Sequence, residues 1–365
     1  MSRPSLLRIT VPLLTLAMTA HAQAPAAHTA AYPGTVTLAI DATDLSHRIF
    51  HAHERIPVQA GALTLLYPRW LPGNHSPSGP LDKIAGIVIK ATDAGGNGQR
   101  LDWRRDPLDV YAFKLDIPAG VSSIDVDFDY LTPTDRSQGR VVMTPVMLNL
   151  QWNAVALYPA GYDAARVTFV PSVKLPPQWQ AATALDGAVR DGDTLRYAPV
   201  PFDTLVDSPV YAGLYSKRID LDPGAKVPVH MDVFADDPKY LDARPEQIAA
   251  HRNLVQQAYK LFGSHHYDHY DFLFSLSDQM SGNGLEHHRS SEDGEGTGYF
   301  TEWDSHVADR DLLPHEYTHS WNGKFRRGAD LATPNFNVPM QDSLLWVYEG
   351  QTQYWGNVLV VRSGM

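Results

Sequence analysis

Two histidines stand four residues apart in the segment LLPHEYTHSWNGKF, residues 312 to 325, and this spacing restricts the local fold more than any other pattern. On an α-helix, positions four apart lie one turn apart on the same face, so His315 and His319 can direct ring nitrogens at one ion. Glu316 follows the first histidine and faces the same half of the helix. The pattern predicts a metal site with Glu316 as proton acceptor. The competing interpretation is a surface helix that carries these residues by chance.

A third metal ligand is available in the segment LLWVYEGQTQYW. Glu349 lies thirty positions after His319, on the next predicted helix, among neighbours such as Trp346 and Tyr348. An unpartnered glutamate in such an apolar setting would be costly to bury, which favours a ligand. Two histidines and one glutamate leave a fourth position open, as in catalytic zinc sites. Thr352, one turn further on, could orient a ligand, although helical threonines more often bond their own backbone.

The Gly-rich segment GNGLEHH lies between a predicted strand and the metal helix. As an extended edge strand it could line a cleft, where main-chain groups such as those of Gly284 pair with an extended peptide. Glu286 at its end could then pair with a substrate α-amino group. The alternative is a loop glutamate in water, and residue chemistry alone leaves both open.

A second histidine cluster, SHHYDHYDF, contains His265, His266 and His269. No carboxylate is positioned beside them by a helix, so we expect a surface loop rather than a second metal site.

From residue 34 to 222 we expect an N-terminal β-sandwich or saddle-shaped sheet domain. Short runs rich in Val, Ile, Phe and Tyr alternate with Pro, Gly and Asp turns, which is typical of strands. The clearest runs are TVTLAID, LTLLYPRW, GIVIKATDA, VYAFKLDI, SIDVDFDY and ARVTFVPSV.

A second domain of mixed α and β structure is expected over residues 223 to 365. Its first helix is predicted in RPEQIAAHRNLVQQAYKLFG, with Pro245 near the start and Gly263 as the stop. YDFLFSLS is predicted to be a strand. Of the two later helices, the first is expected to end at Gly323 and the second to be capped by Asp342 or Ser343.

The first 22 residues are typical of a secretory signal peptide, with Arg3 and Arg8 around a basic start, the apolar run ITVPLLTLAM and the small residues AHA. Residues 23 to 33 are rich in Ala and Pro and predict a disordered leader. The apolar run is too short to span a bilayer. We therefore expect export to a bacterial periplasm or beyond, without a membrane anchor.

The chain has no cysteine, which excludes disulfides, thiolate metal ligands and an acylated cysteine anchor. Its formal net charge is −11, and loss of the signal peptide with its two arginines makes it 28 − 41, or −13. This balance argues against nucleic acid or anionic membranes as partners. It also has the simpler interpretation of a soluble surface.

With these residues in place, the sequence resembles the glycyl aminopeptidase family of gluzincin zinc metallopeptidases. The motifs GLEHHRSS, HEYTHSWNGKFRR and LLWVYEGQTQYW are similar to its catalytic signatures, and LPGNHSP, ALYPAGY and FDTLVDSPVYAG to its N-terminal β-domain. The resemblance implies an α+β multidomain fold with a thermolysin-like catalytic domain. It also implies one zinc ion held by His315, His319 and Glu349, Glu316 as general base, and Glu286 on the substrate amine.

The family pattern typically continues into further helices and a PDZ domain, whereas 16 residues follow Glu349 here, so the catalytic domain is expected to be truncated at its C-terminal end. An oxyanion-stabilising tyrosine would come from that later part. Tyr299, Tyr317 and Tyr348 have no spacing argument for this role, and we assign it to none of them.

The expected function is zinc-assisted hydrolysis of an N-terminal peptide bond in peptides, with glycine or alanine as the residue removed by resemblance. One rival is a zinc endopeptidase of the same fold, in which Glu286 has no amine to hold. The other is a peptide-binding module with an incompetent site.

Overall fold

The computed structural model describes residues 30–92 and 98–365. The expected signal peptide lies outside the described residues, and so do residues 23–29 of the expected leader. For the remainder of the leader, the expectation of disorder is wrong. Tyr32 is buried, its backbone N–H donates to the Arg166 carbonyl at 2.9 Å, and its ring packs edge-on against Tyr162. Packing therefore begins before residue 34.

The N-terminal part is built of β-strands, as the alternating sequence predicts. They are β1 (Thr35–Asp44), β2 (Ile49–Pro57), β3 (Gly61–Leu66), β4 (Ile84–Thr92), β5 (Gly98–Leu101), β6 (Trp103–Arg105), β7 (Ala112–Ile117), β8 (Ser123–Leu131), β9 (Met147–Leu150), β10 (Tyr158–Pro159), β11 (Thr168–Lys174), β12 (Gln180–Ala182), β13 (Val189–Asp191), β14 (Thr194–Arg196), β15 (Val200–Pro201) and β16 (Val210–Gly213). A short helix, α1 (Phe202–Val206), precedes β16. All six predicted runs coincide with strands, namely β1, β3, β4, β7, β8 and β11.

Alternating side chains of these strands build one hydrophobic core. In β1, for example, Val36, Leu38 and Ile40 point inward while their neighbours face solvent. The main sheet has the order β13-β14-β11-β1-β2-β8-β4-β5, with β15 also paired to β11. Two smaller sheets, β10-β3-β7-β6 and β12-β16-β9, pack into the same core.

The second part carries the helices and a mixed sheet. Its elements are β17 (Ser216–Asp220), β18 (Val229–Ala235), α2 (Pro245–Phe262), β19 (Tyr270–Leu276), β20 (Asn283–Glu286), β21 (Ser290–Glu295), α3 (Leu312–His319) and α4 (Gln351–Ser363). The sheet order is β17-β18-β19-β21-β20, and β18, β19 and β21 are parallel. Since β17 pairs with β18, this sheet starts at Ser216, ahead of the expected domain start at residue 223.

Helix α2 has the predicted limits. It begins at Pro245, and Gly263 ends it in the left-handed conformation at φ 72°. No helix in the described part of the chain is long and apolar enough to cross a membrane.

The ends of the two later helices differ from the expectation. Helix α3 stops at His319, four residues before Gly323, and the chain continues in turns, where the Trp321 and Asn322 N–H groups both donate to the Thr318 carbonyl. Helix α4 is preceded by a 3₁₀ turn, Asp342–Leu344, and by a π-helical turn, Trp346–Gly350. Ser343 is inside the 3₁₀ turn and donates its hydroxyl to Asp330 at 2.6 Å, so it does not cap a helix.

Loops from each part of the chain reach the other. Segment 333–337 packs on the β-domain, where the Phe336 ring joins the core and its carbonyl accepts from the Trp70 N–H at 2.7 Å. In the opposite direction, the loop Leu71–Ser76, closed by a backbone bridge between its two ends, contacts β20 and the π-helical turn before α4. The second loop brings the β-domain to Glu286 and Glu349.

Candidate active site

Helix α3 presents the two histidines from one face and anchors itself with the other. Leu313 and Tyr317 are fully buried in the core of the second part. On the opposite face, the Nε2 atoms of His315 and His319 lie 3.1 Å apart. The backbone carbonyl of Asn322 lies 3.0 Å from His319 Nδ1, so this nitrogen carries a proton and donates it, and Nε2 is the nitrogen that faces His315 and Glu349. The two rings thus lie together on one face of α3.

Glu349 meets the histidines from the π-helical turn before α4. Its Oε2 lies 3.4 Å from Nε2 of both His315 and His319. The expected apolar setting is wrong, because Trp346 is 72% exposed and the Glu349 side chain 36%. Glu349 is held by polar partners instead. Burial alone would raise its pKa, but the hydrogen bonds from the histidines outweigh this and the pKa lies far below its ordinary value.

The three atoms fit a zinc ion. Tetrahedral zinc with bonds of about 2.0 to 2.2 Å separates its ligand atoms by roughly 3.3 to 3.6 Å. The observed separations are 3.1, 3.4 and 3.4 Å. Two imidazoles and one carboxylate are also the ligand types of catalytic zinc. Close packing of α4 supports this arrangement, since a side chain at Gly356 would press on the His315 backbone at 3.1 Å.

Glu316 lies beside the histidines in a space that a glycine leaves free. It is buried, and its carboxylate lies against Gly284 of β20, where an added Cβ would stand 2.8 Å from Glu316 Cδ. Burial raises the pKa of Glu316 well above its ordinary value, and the neighbouring carboxylates of Glu286 and Asp293 raise it further. Gly284 therefore determines where Glu316 can lie, in addition to any main-chain contact with a substrate.

Glu286 ends β20, the edge strand of the sheet, and is 3% exposed. The interpretation as a loop glutamate in water is therefore wrong. Tyr348 Oη donates to its Oε1 at 2.5 Å, and a Cβ at Gly73 would lie 2.8 Å from its Oε2. Burial by itself raises the pKa of Glu286, but the charges of His319 and Lys324 and the Tyr348 bond lower it overall. The carboxylate is thus ionised although it is buried.

His75 is a site residue that the sequence did not reveal. It belongs to the loop Leu71–Ser76, and its Nε2–H donates to Glu349 Oε1 at 2.8 Å. Its ring packs edge-on against Tyr348 at 4.8 Å. In the sequence, LPGNHSP resembles a motif of the β-domain, and nothing local links His75 to a residue 274 positions away.

Thr352 and Asn322 connect α4 to the end of α3. The Thr352 hydroxyl donates to the Tyr348 carbonyl at 2.7 Å and lies 3.4 Å from His319 Nδ1. Asn322 Nδ2 donates to the Val347 carbonyl at 2.9 Å and to the Thr352 hydroxyl at 3.0 Å. Thr352 therefore bonds its own backbone, as helical threonines do, and also borders a histidine.

The three tyrosines considered for oxyanion stabilisation are engaged elsewhere. Tyr299 bonds His251 in the core, Tyr317 bonds Tyr267, and Tyr348 bonds Glu286. The structure adds no argument for assigning that role to any of them.

The second histidine cluster does not converge. His265 contacts a backbone carbonyl, the His266 ring stacks on Phe325, and His269 Nδ1 lies 2.8 Å from Asp271. Within residues 30–92 and 98–365, the compact group of potential ligands is instead that of the metal helix.

A buried network of charges fixes the segment behind Glu286. Glu292 is fully buried and accepts from Arg140 at 2.7 Å, while His287 Nε2 lies 3.0 Å from it. Asp207 accepts from Lys324 at 2.7 Å. Burial would raise the pKa of Glu292, but the Arg140 charge and the His287 bond depress it far below normal. These contacts tie the β-domain to β20 and β21.

Asp293 pairs with Gly284 across β21 and β20 and is fully buried, but its pKa is shifted in the direction opposite to that of Glu292. Ser291 donates to its Oδ2 at 2.7 Å, and no partner among the described residues bonds its Oδ1. Burial, followed by the charge of Glu292, raises its pKa to about 7.

Comparison with known proteins agrees with this arrangement. Residues 37–214 match the Peptidase M61 N-terminal domain, and residues 308–365 match the M61 glycyl aminopeptidase. No curated protein matches the chain. Among solved structures, it is similar to an aminopeptidase N family protein from Idiomarina loihiensis, with a TM-score of 0.74, 20% identity, and coverage of 90% of this chain and 55% of the other.

A second similar structure is an M1 zinc metallopeptidase from Deinococcus radiodurans, a mutant bound to a Tyr-Ser-Ala substrate. It has a TM-score of 0.51 and 14% identity over 93% of this chain and 73% of the other. At these identities the likeness shows the fold, a β-domain followed by a thermolysin-like domain. The chain spans about half the length of the first structure. Since the two family matches together cover more than half of the chain, it belongs to the M61 glycyl aminopeptidase family.

Proposed function

We propose that this protein is an exported zinc aminopeptidase that removes small N-terminal residues, glycine or alanine, from peptides. The observation that carries the proposal is the set of ligand atoms of His315, His319 and Glu349 at 3.1 to 3.4 Å, with a buried Glu316 beside it. A surface helix with these residues by chance would have no reason to meet a glutamate from another helix at zinc spacing.

His315, His319 and Glu349 would hold one zinc ion. When bound, zinc supplies Lewis acidity, which polarises a carbonyl group and makes water a better nucleophile near neutral pH. Glu316 accepts the proton of the attacking water and passes it to the leaving amine. Its pKa must fall for this role, and it falls when a cation is held nearby, because an opposite charge favours the ionised carboxylate.

Glu286 makes the site selective for the N-terminus of a peptide substrate. A free α-amino group is largely cationic near neutral pH, and the buried, ionised Glu286 can hold it by a charge-assisted hydrogen bond. The outer edge of β20 pairs with no other strand of the described part, which leaves main-chain groups around Gly284 for an extended peptide. With the amine fixed, one peptide bond lies over the metal ligands.

The preference for small residues is supported by crowding next to Glu286. Gly73 lies so close that a Cβ would stand 2.8 Å from Glu286 Oε2 and 3.2 Å from Leu285 Cγ. The loop Leu71–Ser76 therefore leaves little space for a large first side chain. The Deinococcus relative is described with a bound tripeptide, which supports peptides as the substrate class.

The cellular arrangement is also part of the proposal. Residues 1–22 would direct export, residues 34–215 would form the β-domain, and residues 216–365 would form the catalytic domain, which starts at β17 rather than at residue 223. The acidic surface is expected to keep nucleic acid and anionic membranes from binding.

Metal analysis of the full-length gene product tests the proposal. One zinc per chain is expected, and it should be lost when both His315 and His319 are replaced by alanine. Glu316→Gln should keep the zinc and lose about 10²- to 10⁴-fold in turnover, because glutamine has the same shape and accepts no proton. Zinc retained without the histidines, or a Glu316→Gln variant within a few-fold of wild type, would contradict it.

A further inference from the structure

We infer that His75, from the β-domain, is a positioning residue for the metal ligand Glu349. The inference rests on the proposed function, because it concerns how that function's metal site is held. His75 would act through Glu349, and contact with the ion or the substrate is not required of it.

The two oxygens of Glu349 have different partners. Oε2 faces the histidine pair at 3.4 Å from each ring, and Oε1 accepts from His75 Nε2–H at 2.8 Å. With one oxygen held, the carboxylate cannot rotate freely, and the other stays directed at the ion position. Hydrogen-bonded partners of this kind commonly orient the ligands of a metal and raise its affinity.

Glu349 needs such a partner more than His319 does. Its side chain is 36% exposed, whereas that of His319 is 1% exposed and its Nδ1 is held by a backbone carbonyl. A half-exposed glutamate samples several rotamers, and fixing it costs conformational entropy when the ion binds. The hydrogen bond from His75 already restricts the Glu349 side chain before the ion binds, so less conformational entropy is lost on binding.

The backbone at His75 is arranged for this contact. His75 has φ 47°, in the left-handed region that residues other than glycine rarely adopt. Such a conformation is unfavourable for a residue with a side chain and persists where the surroundings hold it. Here the bridge between Leu71 and Ser76 closes the loop, and the ring, 11% exposed, packs on Tyr348.

His75 is not placed as a fourth ligand. A ligating ring would bring Nε2 within about 3.3 to 3.6 Å of the other two ring nitrogens. The described residues show no hydrogen-bond contact of His75 with His315 or His319, and its nitrogen bonds Glu349 at Oε1, whereas Oε2 is the oxygen nearest the two rings.

The test compares His75→Ala and His75→Gln with wild type in the full-length gene product. Zinc affinity is measured by competition with a chelator of known affinity, and the cobalt(II)-substituted protein gives a visible spectrum of the site. We expect His75→Ala to lose about 10- to 100-fold in zinc affinity. We expect His75→Gln, whose amide N–H reaches about as far, to recover most of it. The cobalt spectrum should shift in the alanine variant and return towards wild type in the glutamine variant.

Gln178→Ala is the matched control, because Gln178 is an exposed residue at φ 71° outside the site. It removes a side chain from the same backbone conformation and should leave zinc affinity unchanged. Melting in excess chelator shows that each zinc-free variant is folded.

Three outcomes would overturn the inference. If His75→Ala binds zinc as tightly as wild type, the metal site stands without help from His75. Equal losses in the alanine and glutamine variants would assign the effect to ring packing. Three imidazoles in the X-ray absorption spectrum of the zinc protein would make His75 a ligand. If instead the wild type binds no zinc at the histidine pair, the proposed function fails with it, and the binding measurement on wild type alone shows this.

Discussion

Replacing Gly284 by alanine would push one methyl group into the space that Glu316 occupies. The new Cβ would overlap Glu316 Oε1, its nearest neighbour, and would stand 2.7 Å from Leu312 Cδ1 and 2.8 Å from Glu316 Cδ. Carbon atoms in normal contact are about 3.5 to 4.0 Å apart, so the neighbours must withdraw by roughly 1 Å. The atoms that clash are the ends of side chains, and the fold can therefore survive.

The expected effect falls on turnover. Displacing a catalytic group by about 1 Å can cost on the order of 10²-fold in rate, which corresponds to about 2.7 kcal/mol of transition-state stabilisation. Overpacking of this size costs about 1 to 3 kcal/mol of stability. Zinc should stay bound, because the ligand atoms of His315 and Glu349 are not among the atoms that the methyl group would meet first.

The assay measures kcat on a glycine-led chromogenic substrate, zinc content and the melting temperature for Gly284→Ala and Gly98→Ala. Gly98 is the matched control, a strand glycine where a Cβ would meet Lys90 Cδ at an ordinary 3.7 Å. A folded, zinc-loaded Gly284→Ala variant with kcat within threefold of wild type would refute the reasoning. Loss of zinc would show that the methyl group acts through the metal ligands instead.

Three further predictions concern the buried acids. Glu286→Ala should lower kcat/KM on a free-amine substrate by the equivalent of about 2 to 5 kcal/mol and should change kcat/KM on the acetylated substrate little. Equal losses on the two substrates would favour the endopeptidase. The pKa of Glu292 is depressed in the folded protein, so the ionised carboxylate stabilises the fold above its unfolded pKa of about 4.3, and this stabilisation is lost as the pH falls below that value. Glu292→Gln should therefore lower the melting temperature at pH 7, and the difference from wild type should shrink towards pH 2. A difference that stays constant with pH would contradict this. The pKa of Asp293 is raised to about 7 in the folded protein, so the free energy of unfolding of the wild type falls by up to about 4 kcal/mol as the pH rises from 4 to 7. In excess chelator, Asp293→Asn should therefore raise the melting temperature more at pH 8 than at pH 4.5. An increase that does not depend on pH would refute this.

Features with a local period could be predicted from the sequence. The histidine pair needed only the helical repeat, and helix α2 was delimited by Pro245 and Gly263. Strand β2 was missed because its outward residues include histidines and an arginine, and its inward Glu54 is buried. Glu54 is tolerated there because it accepts the Leu157 N–H at 2.7 Å, a contact that local sequence does not show.

Features that depend on distant contacts could not be predicted. The surroundings of Glu349 were expected to be apolar, yet Trp346 is exposed and His75, from the β-domain, bonds the glutamate. Likewise, the sequence predicted only that Gly284 lines the substrate cleft. Its contact with Glu316 depends on how β20 packs against α3, which local sequence does not show. The π-helical turn could not be predicted either, because it adds one residue to an otherwise regular helix and leaves no periodic pattern of apolar residues in the sequence.

The loop Leu71–Ser76 has a consequence for how such proteins can diversify. The two parts of the chain have largely separate cores, which would ordinarily let evolution exchange one domain and keep the other. Here one loop of the β-domain contacts Glu286 through Gly73 and Glu349 through His75. A chimera that joins this catalytic domain to a foreign β-domain would inherit an altered catalytic centre as well as a new surface. Recombination between relatives is therefore expected to succeed only where the incoming loop and the resident helix have evolved together.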